Sequence, residues 1–289
     1  MAAVLLACAS AALFGAMAVA IRIGLRHFDD PVTGSLATAS VALAVTTAIA
    51  VVSVVRHGLD LSELWPFLLA GAIAPGLSQL LFTHAVWEAG AARTSVLMGT
   101  APLFSVAIAL AVLNEPVSGA LLGGAALIVA GGVALANERV RPRDFRRIGM
   151  LFALAATLMF AIRDNLLRWL SGHTATHALV TAPVTLLAGT ATVAVYLTVT
   201  RGRPTSAVLG RAARVFLPAG VFFGLSYAAL FEAYYRGKVS VVAPLVATES
   251  LWGVLFAALF LRSSELVGRR LVLGAALIVA GGVVIGVSR

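Results

Sequence analysis

Glu249 is the residue whose position most strongly suggests chemistry. It lies inside a long apolar stretch, roughly 15 Å from its start at the rise of an α-helix. A carboxylate at this depth in a membrane is costly unless it is paired or hydrated. Glu249 is therefore either a group that binds a proton or a substrate, or a structural carboxylate that a neighbouring helix satisfies. Its counterpart in the internal repeat described below is Ala101, so the repeated scaffold itself does not require it.

Arg163, Asp164 and Asn165 interrupt a second apolar stretch. Asp164 precedes Arg168 by four residues, a spacing that favours an ion pair along one helix. Arg163 has no acidic residue three or four positions away, so we expect its partner on another helix or on a ligand. The sharpest hypothesis is that Arg163 lies opposite Glu249.

A structural interpretation is favoured for three further features: His84, Glu232, and the pair His173 and His177. His84 is either a group that titrates near neutral pH or an interfacial side chain. Glu232 is spaced to pair with Arg236 along one helix. His173 and His177 have metal-ligand spacing but lack the adjacent glutamate of a zinc protease. We therefore predict no metal site, no cofactor and no catalytic constellation.

Tyr227, Phe231 and Tyr234 recur at helical spacing and share one stripe. With Trp252 on the next stretch they either form an aromatic wall of a site or pack in the core.

The composition excludes a soluble globular protein. Hydrophobic residues make up 61% of the 289 residues and charged residues 11%, against roughly 25% charged in soluble domains. The net charge of +9 comes from arginines in short loops, and no soluble segment is long enough to present a face to nucleic acid. Cys8 is the single cysteine, which excludes an intrachain disulfide. We expect the first helix, which contains Cys8, to remain uncleaved because no basic residue precedes it.

Ten apolar stretches are long enough to cross a bilayer, and each must be helical to satisfy its backbone. Five prolines lie inside these spans, where each removes a backbone hydrogen bond, and neighbouring helices or polar side chains must satisfy the group that is freed: Pro75, Pro102, Pro183, Pro218 and Pro244. The predicted spans are Ala3–Ile21, Val32–Val55, Trp65–Val86, Thr94–Leu113, Ser118–Ala136, Ile148–Leu170, Ala175–Thr200, Val215–Tyr235, Val239–Leu261 and Leu271–Val287.

An internal duplication organises these spans. The decapeptide GAALIVAGGV occurs at Gly124–Val133 and again at Gly274–Val283, and Gly76-Leu77-Ser78 recurs as Gly224-Leu225-Ser226. We predict an all-α membrane protein of two five-helix repeats, residues 1–136 and 148–289, joined by a basic linker at 137–147. Because five is odd, the second repeat enters the membrane in the opposite sense, an arrangement typical of secondary transporters.

The arginines indicate the orientation. Most gather at one end of the predicted bundle, so the positive-inside rule makes these basic loops cytoplasmic and puts both termini outside. The preference for arginine over lysine, with abundant alanine and glycine, indicates a prokaryotic chain and hence the cell membrane.

Several short motifs, together with the decapeptide that occurs in both halves, point to a known family. They are Leu13-Phe14-Gly15 with Arg22 closing the first helix, the segment Ala91–Leu97, Ala101-Pro102-Leu103-Phe104, Leu113-Asn114-Glu115 and the decapeptides. These motifs resemble the drug/metabolite transporter superfamily, in particular EamA-type exporters, over essentially the whole chain. The resemblance implies ten helices around a central cavity, with the cavity-lining helices carrying Ser78, Gln79, Thr100, Pro102, Arg163, Tyr227, Glu249 and Trp252.

The sequence thus predicts a secondary transporter that exports a small metabolite, such as an amino acid, by alternating access. Its partners would be the substrate, the lipid bilayer and protons, coupled through Glu249. One alternative is a multidrug or uncoupled permease on the same scaffold. Another is a membrane sensor or scaffold that transports nothing.

Overall fold

The long apolar stretches form α-helices in the computed structural model, which describes residues 1–57, 63–104, 107, 119–138, 144–171, 173–174, 176–237, 239–261 and 265–287. Helix formation satisfies the backbone of each stretch internally. No strand occurs in these ranges, and the all-helical prediction is confirmed. The helices are α1 (Ala2–His27), α2 (Pro31–His57), α3 (Trp65–Gly71), α4 (Ser78–Ala89), α5 (Ala91–Met98), α6 (Gly119–Ala136), α7 (Ile148–Ser171), α8 (Ala178–Arg201), α9 (Ser206–Val215), α10 (Leu217–Arg236), α11 (Val239–Val246), α12 (Glu249–Phe260) and α13 (Arg269–Val287).

Eight helical segments of the described chain are long and apolar enough to cross a membrane. One of them, Trp65–Ala89, comprises α3, a π-helical segment at Ala72–Leu77, and α4. The predicted ninth span is divided into α11 and α12. The predicted span Thr94–Leu113 is described only as far as Phe104 and at residue 107. Residues 139–143 of the predicted linker also lie outside the described residues. The count of ten spans therefore stays a prediction.

The short helix α9 is an addition to the predicted spans. The Thr205 hydroxyl caps it by accepting from the Val208 N–H at 3.4 Å. Arg211 lies over the Phe28 ring at the end of α1, with 5.8 Å between its guanidinium carbon and the ring centroid. The helix is too short and too charged to span a membrane, which is why span length did not reveal it.

Two helices break at positions that correspond in the repeat. Turns at Gly99-Thr100 and Ala247-Thr248 end α5 and α11. In each turn the threonine hydroxyl donates to the carbonyl oxygen three residues before it, from Thr100 to Leu97 at 2.6 Å and from Thr248 to Leu245 at 2.5 Å. Pro102 and Pro244, which lack an N–H, lie close to these turns, so local sequence favours both breaks.

The identical decapeptides pack against each other through α6 and α13. A methyl group added to Gly124 would lie 2.8 Å from the carbonyl oxygen of Gly281, and one added to Gly131 would lie 2.7 Å from that of Gly274. The first glycine of each decapeptide therefore faces the eighth residue of the other, so the helices run antiparallel. Any larger side chain at these glycines would separate the helices.

Phe14 occupies the centre of the bundle. Its ring centroid lies 5.2 Å from that of Phe82, 5.8 Å from that of Phe160 and 6.4 Å from that of Phe223. Phe14 and Phe160 correspond in the repeat, and they meet edge to face with 89° between their planes. Edge-to-face aromatic contacts of this kind add to the packing of a core.

An ion-pair network whose members are buried, except for the exposed Asp144, closes one end of the bundle. It consists of Arg22, Arg93, Glu138, Asp144 and Glu265, and we call it the basic-end network. Arg93 Nε donates to Glu138 Oε2 at 2.8 Å, and Arg22 Nη2 donates to Asp144 Oδ2 at 2.5 Å. Glu265 lies 3.3 Å from Arg22 and 3.6 Å from Arg93, measured between side-chain oxygen and nitrogen. The network thus joins helix ends that are distant in sequence.

Glu265 enters this network across the turn between α4 and α5. Its Oε1 accepts from the Ala91 N–H at 3.0 Å, and a methyl group on Gly90, whose φ is +91°, would meet the carboxylate. Burial raises the pKa of Glu265, while Arg22, the Ala91 N–H and Arg93 act in the opposite direction. The network therefore holds a carboxylate that has almost no contact with solvent.

Candidate substrate and ion site

Arg163 lies in a buried cluster between α7 and α10. Its guanidinium donates to Asp164 Oδ1 from Nε at 2.9 Å and from Nη2 at 2.6 Å. The third nitrogen, Nη1, donates to the Tyr227 hydroxyl at 2.7 Å. The guanidinium carbon lies 4.8 Å from the ring centroid of Phe160 and 5.0 Å from that of Tyr227. The charge of Arg163 is thus matched by Asp164, and all three of its nitrogens are engaged.

Two tyrosines of α10 connect this ion pair to the rest of the bundle. The Tyr227 hydroxyl donates to the carbonyl oxygen of Ala74 at 3.4 Å. Ala74 has non-helical backbone angles, φ −141° and ψ 113°, immediately before Pro75. The Tyr234 hydroxyl hydrogen-bonds the Asp164 carboxylate. The predicted aromatic stripe therefore contributes two hydroxyl groups to the cluster.

Glu249 begins α12, directly after the turn at Ala247-Thr248. Its side chain is 7% exposed and close enough to Asp164, Arg163 and Tyr234 for electrostatic interaction. Within the described chain, no hydrogen bond or ion pair joins the Glu249 side chain to another residue. Arg163 and Glu249 interact electrostatically, but the ion pair of Arg163 is with Asp164 and not with Glu249. We call Arg163, Asp164, Tyr227, Tyr234 and Glu249 the mid-bundle cluster.

The two helix breaks lie against each other beside this cluster. A methyl group on Gly99, in the first break, would lie 2.9 Å from Cβ of Ser250, which follows Glu249. A methyl group on Gly282 of α13 would lie 3.4 Å from Pro102 and 3.6 Å from Ala247. The predicted residues Thr100 and Pro102 are therefore found at the crossing of the broken helices, with Glu249 one residue from the contact.

Ser78 and Gln79 lie where α4 begins, after the kink at Ala74. Both are fully buried, and the Ser78 hydroxyl and Gln79 Oε1 have no hydrogen-bond partner among the described residues. The Gln79 amide nitrogen donates to the Thr83 hydroxyl at 3.4 Å. Buried polar atoms without partners are uncommon in proteins, so these two remain candidates for contact with a ligand or water.

His84 and Trp252 have packing contacts. Nδ1 of His84 lies 2.7 Å from the carbonyl oxygen of Leu80, and its ring packs edge-on against Trp87 and Phe152. Trp252 stacks on Phe256 with 5.7 Å between ring centroids. No contact joins Trp252 to Tyr227 in the part of the chain that the structure describes, and the aromatic wall stays a prediction.

The predicted local pairs have different outcomes. The ion pair between Glu232 and Arg236 is confirmed. The Arg168 side chain lies outside the described residues, and Asp164, its predicted partner, instead pairs with Arg163. His173 stacks on Trp169, and no group of metal-ligand side chains occurs among the residues described.

Sequence reasoning missed a reciprocal serine pair between α1 and α10. The Ser10 hydroxyl donates to the carbonyl oxygen of Ser226 at 3.0 Å, and the Ser226 hydroxyl donates to that of Ser10 at 2.9 Å. Ser226 corresponds to Ser78 in the repeat, and that correspondence marked both positions. Ser10 carries no such signal, because serine is common in membrane helices and a single hydroxyl has no diagnostic spacing.

A cavity of about 630 Å³ opens at the basic end. Its charged lining consists of three arginines and three carboxylates, so neither charge is in excess: Arg22, Arg26, Arg146, Asp29, Glu88 and Asp144. Arg22 and Arg146 are already engaged, with Asp144 and Glu88 respectively. The mid-bundle cluster is the better candidate site, because there a buried carboxylate lacks a direct partner.

Comparisons with known proteins agree with this architecture. Residues 1–137 match the EamA-like transporter family. Twenty-one chains of known structure are similar. One of them, a protein of known crystal structure, has a TM-score of 0.67 at 19% identity, over 98% of this chain and 95% of its own, a likeness that shows the fold alone. No curated protein matches the chain. The chain is a multi-pass membrane protein, and its residues 1–137 are those of an EamA-like transporter, a family of the drug/metabolite transporter superfamily.

Proposed function

We propose that this protein is a secondary active transporter that exports a small metabolite, an amino acid or a related compound, by alternating access. The observation that carries the proposal is the crossing of two broken helices beside buried charges. Broken helices at the membrane midplane are a feature of transporter binding sites, because their free ends can interact with substrates and ions. A membrane scaffold or sensor would have no need of such a site.

The proposal includes ten helices in two inverted repeats, with boundaries at residues 136 and 148. Three observations support it. The decapeptide helices α6 and α13 run antiparallel, the corresponding phenylalanines Phe14 and Phe160 meet at the centre, and the breaks at Thr100 and Thr248 have the same hydrogen bonds. Rocking of one repeat against the other would expose the mid-bundle cluster to each side in turn.

Protons are the proposed coupling ion and Glu249 the proposed coupling residue. A carboxylate that is buried without a direct partner can gain or lose a proton without breaking an existing ion pair. By the positive-inside rule the basic end would face the cytoplasm of a prokaryotic cell. Loss of a proton at that side and gain at the other would couple export to the proton gradient.

Efflux from proteoliposomes tests this function. Vesicles loaded with a labelled mixture of amino acids and amines are assayed with and without an imposed pH gradient. The wild type should show gradient-dependent efflux, and Glu249→Gln should abolish that dependence. Glu232→Gln is the matched control, since Glu232 forms a partly exposed pair with Arg236, and it should retain wild-type efflux.

The outcomes separate the alternatives. Efflux that never depends on the gradient, in wild type and variant alike, would favour an uncoupled permease. Efflux of many unrelated organic cations would favour a multidrug transporter. Absence of efflux for every compound would contradict the transport proposal and favour a sensor or scaffold.

A further inference from the structure

We propose that the substrate carries a protonated amine, that this amine binds the Glu249 carboxylate, and that the substrate has no free carboxylate. The inference rests on the proposed transport function and narrows its substrate class. Among the compounds considered above, it selects amines over amino acids. It follows from the balance of charge in the mid-bundle cluster and from the contacts that each charge already makes.

The first step is that Glu249 is buried without a direct partner. It is 7% exposed, and no described residue donates a hydrogen bond to it. Burial of a charge without a partner is costly, so such groups are normally paired or hydrogen-bonded. Its position at the start of α12 adds a helix N-terminus, which stabilises negative charge there. The site is therefore prepared for a ligand that is positively charged and donates hydrogen bonds.

The second step is that, among the described side chains that interact with Glu249, one negative charge is unmatched. Asp164 and Glu249 are acidic, and Arg163 is the basic residue that interacts with both. Arg163 and Asp164 form a close ion pair and neutralise each other. A ligand with a single positive charge would bring the cluster to neutrality.

The third step concerns the carboxylate of an amino acid. Such a group would need its own positively charged or hydrogen-bonding partner, as carboxylates in proteins do. Arg163 is the buried cation of the cluster, but its charge is matched by Asp164, and three of its five N–H groups already donate to Asp164 and Tyr227. A ligand carboxylate would also approach Asp164 and Glu249 and be repelled by both. An amine without a carboxylate avoids this cost.

The fourth step concerns the rest of the substrate. Trp252 follows Glu249 by three residues on α12, so the two side chains are neighbours on the helix surface. Trp252 is partly exposed and extends its aromatic surface through Phe256. Aromatic rings stabilise cations and bind apolar groups. The favoured substrate is therefore an amine with an apolar or aromatic substituent.

Binding to the purified full-length protein tests the inference independently of transport. Isothermal titration at one fixed pH would compare n-alkylamines and phenethylamine with phenylalanine, 3-phenylpropionate and phenethyl alcohol. Phenethylamine should bind about 10- to 100-fold more tightly than the other phenyl compounds, because 3-phenylpropionate and phenethyl alcohol lack the ammonium group and the carboxylate of phenylalanine is repelled by Asp164 and Glu249. Glu249→Gln should weaken amine binding by the same factor, whereas Glu249→Asp should keep the preference for amines and Glu232→Gln should not change it.

Three outcomes would overturn the inference. They are failure of every amine to bind the wild type, equal binding of phenethylamine and phenylalanine, and unchanged amine binding in Glu249→Gln. If Glu249→Gln does not fold, Glu249→Asp takes its place as the test. A preference for amines that is retained in Glu249→Asp supports recognition by the carboxylate charge, and loss of that preference contradicts it. If amines bind through Glu249 but none crosses the proteoliposome membrane, the binding site stands and the transport function fails.

Discussion

Charged side chains are buried in two regions of this molecule, and the two regions satisfy them differently. In the basic-end network, Arg93 and Glu265 are 1% and 0% exposed. Each of them interacts with a residue of opposite charge and with a backbone group of another residue. In the mid-bundle cluster, Arg163 and Asp164 satisfy each other while Glu249 has no direct partner. Arg163 and Glu249 are 5% and 7% exposed, so both regions contain buried charges and burial alone does not distinguish them.

The difference separates a structural use of charge from a functional one. Residues of the basic-end network come from distant parts of the chain, and removal of one member would leave its partners buried and unpaired. Glu249 holds no partner in place, so its removal would leave nothing unpaired. A buried charge that supports the fold should therefore be costly to neutralise, and a buried charge reserved for a ligand should not.

The largest expected effect comes from the same substitution made in each region. Glu265→Gln should lower the free energy of unfolding in detergent by roughly 3–5 kcal/mol, because Arg22 and Arg93 lose a buried countercharge. Glu249→Gln should leave the unfolding free energy unchanged or raise it slightly, since it removes a buried charge without a direct partner. Chemical unfolding followed by circular dichroism measures both variants.

Equal losses in the two variants would remove the distinction between the regions. If the unfolding free energy fell only in Glu249→Gln, the distinction would be reversed, and Glu249 would be a structural residue. Glu232→Gln, at a partly exposed pair, should lower the unfolding free energy by no more than about 1 kcal/mol and sets the baseline.

A smaller effect is expected from the tyrosines of α10. Tyr227→Phe removes the hydroxyl that accepts from Arg163 and donates to Ala74, so a buried guanidinium nitrogen loses its partner. The unfolding free energy should fall by about 1–3 kcal/mol. Tyr235→Phe is the matched control, because the Tyr235 hydroxyl has no hydrogen-bond partner among the described residues, and its effect should be close to zero. Equal effects would show that Tyr227 does not anchor Arg163.

The sequence was sufficient to predict most of the helices. Composition and span length give the all-helical membrane fold. The breaks near Pro102 and Pro244 were not predicted, because an internal proline does not by itself end a helix, as Pro183 inside α8 shows. The duplicated decapeptide indicates two related helices but not that they pack on each other. That contact depends on the three-dimensional closeness of Gly124 to Gly281, which no spacing along one chain reveals.

The partners of buried charges were harder to predict, for a physical reason. Helical spacing relates residues three or four positions apart, so it predicted Glu232 with Arg236 correctly. It gave no reason to pair Arg163 with its direct neighbour Asp164, since adjacent residues point to different sides of a helix. Burial makes their charges attract strongly enough for the two flexible side chains to reach each other. The partners of Glu265 could not be predicted from helical spacing either, because they come from other helices.

The smallest expected effect comes from Asp30, a capping residue at the start of α2 that sharpens the comparison by adding a partly exposed case. Its carboxylate accepts from the Val32 N–H at 3.0 Å and the Thr33 hydroxyl at 2.6 Å, and it pairs with Arg201 at 2.5 Å. Burial alone would raise the pKa of Asp30. The hydrogen bonds from Thr33 and the positive charge of Arg201 outweigh burial, so the pKa lies below its ordinary value. Stability from this charge is therefore present above the unfolded pKa and is lost as the pH falls through the lower, folded value.

Asp30→Asn separates this charge from the cap, because asparagine can still accept from the backbone N–H groups. At neutral pH the variant should lose about 0.5 kcal/mol of unfolding free energy, the usual size for an exposed ion pair. The difference between wild type and variant should vanish when the pH falls below the folded pKa, as measured by thermal unfolding in detergent across that range. A difference that persisted in acid would mean that cap geometry, not charge, sets the contribution of Asp30. The ion pairs of the basic-end network could then likewise stabilise the fold through hydrogen bonds and not through charge. The difference between that network and Glu249 would in that case be a difference in hydrogen bonding alone.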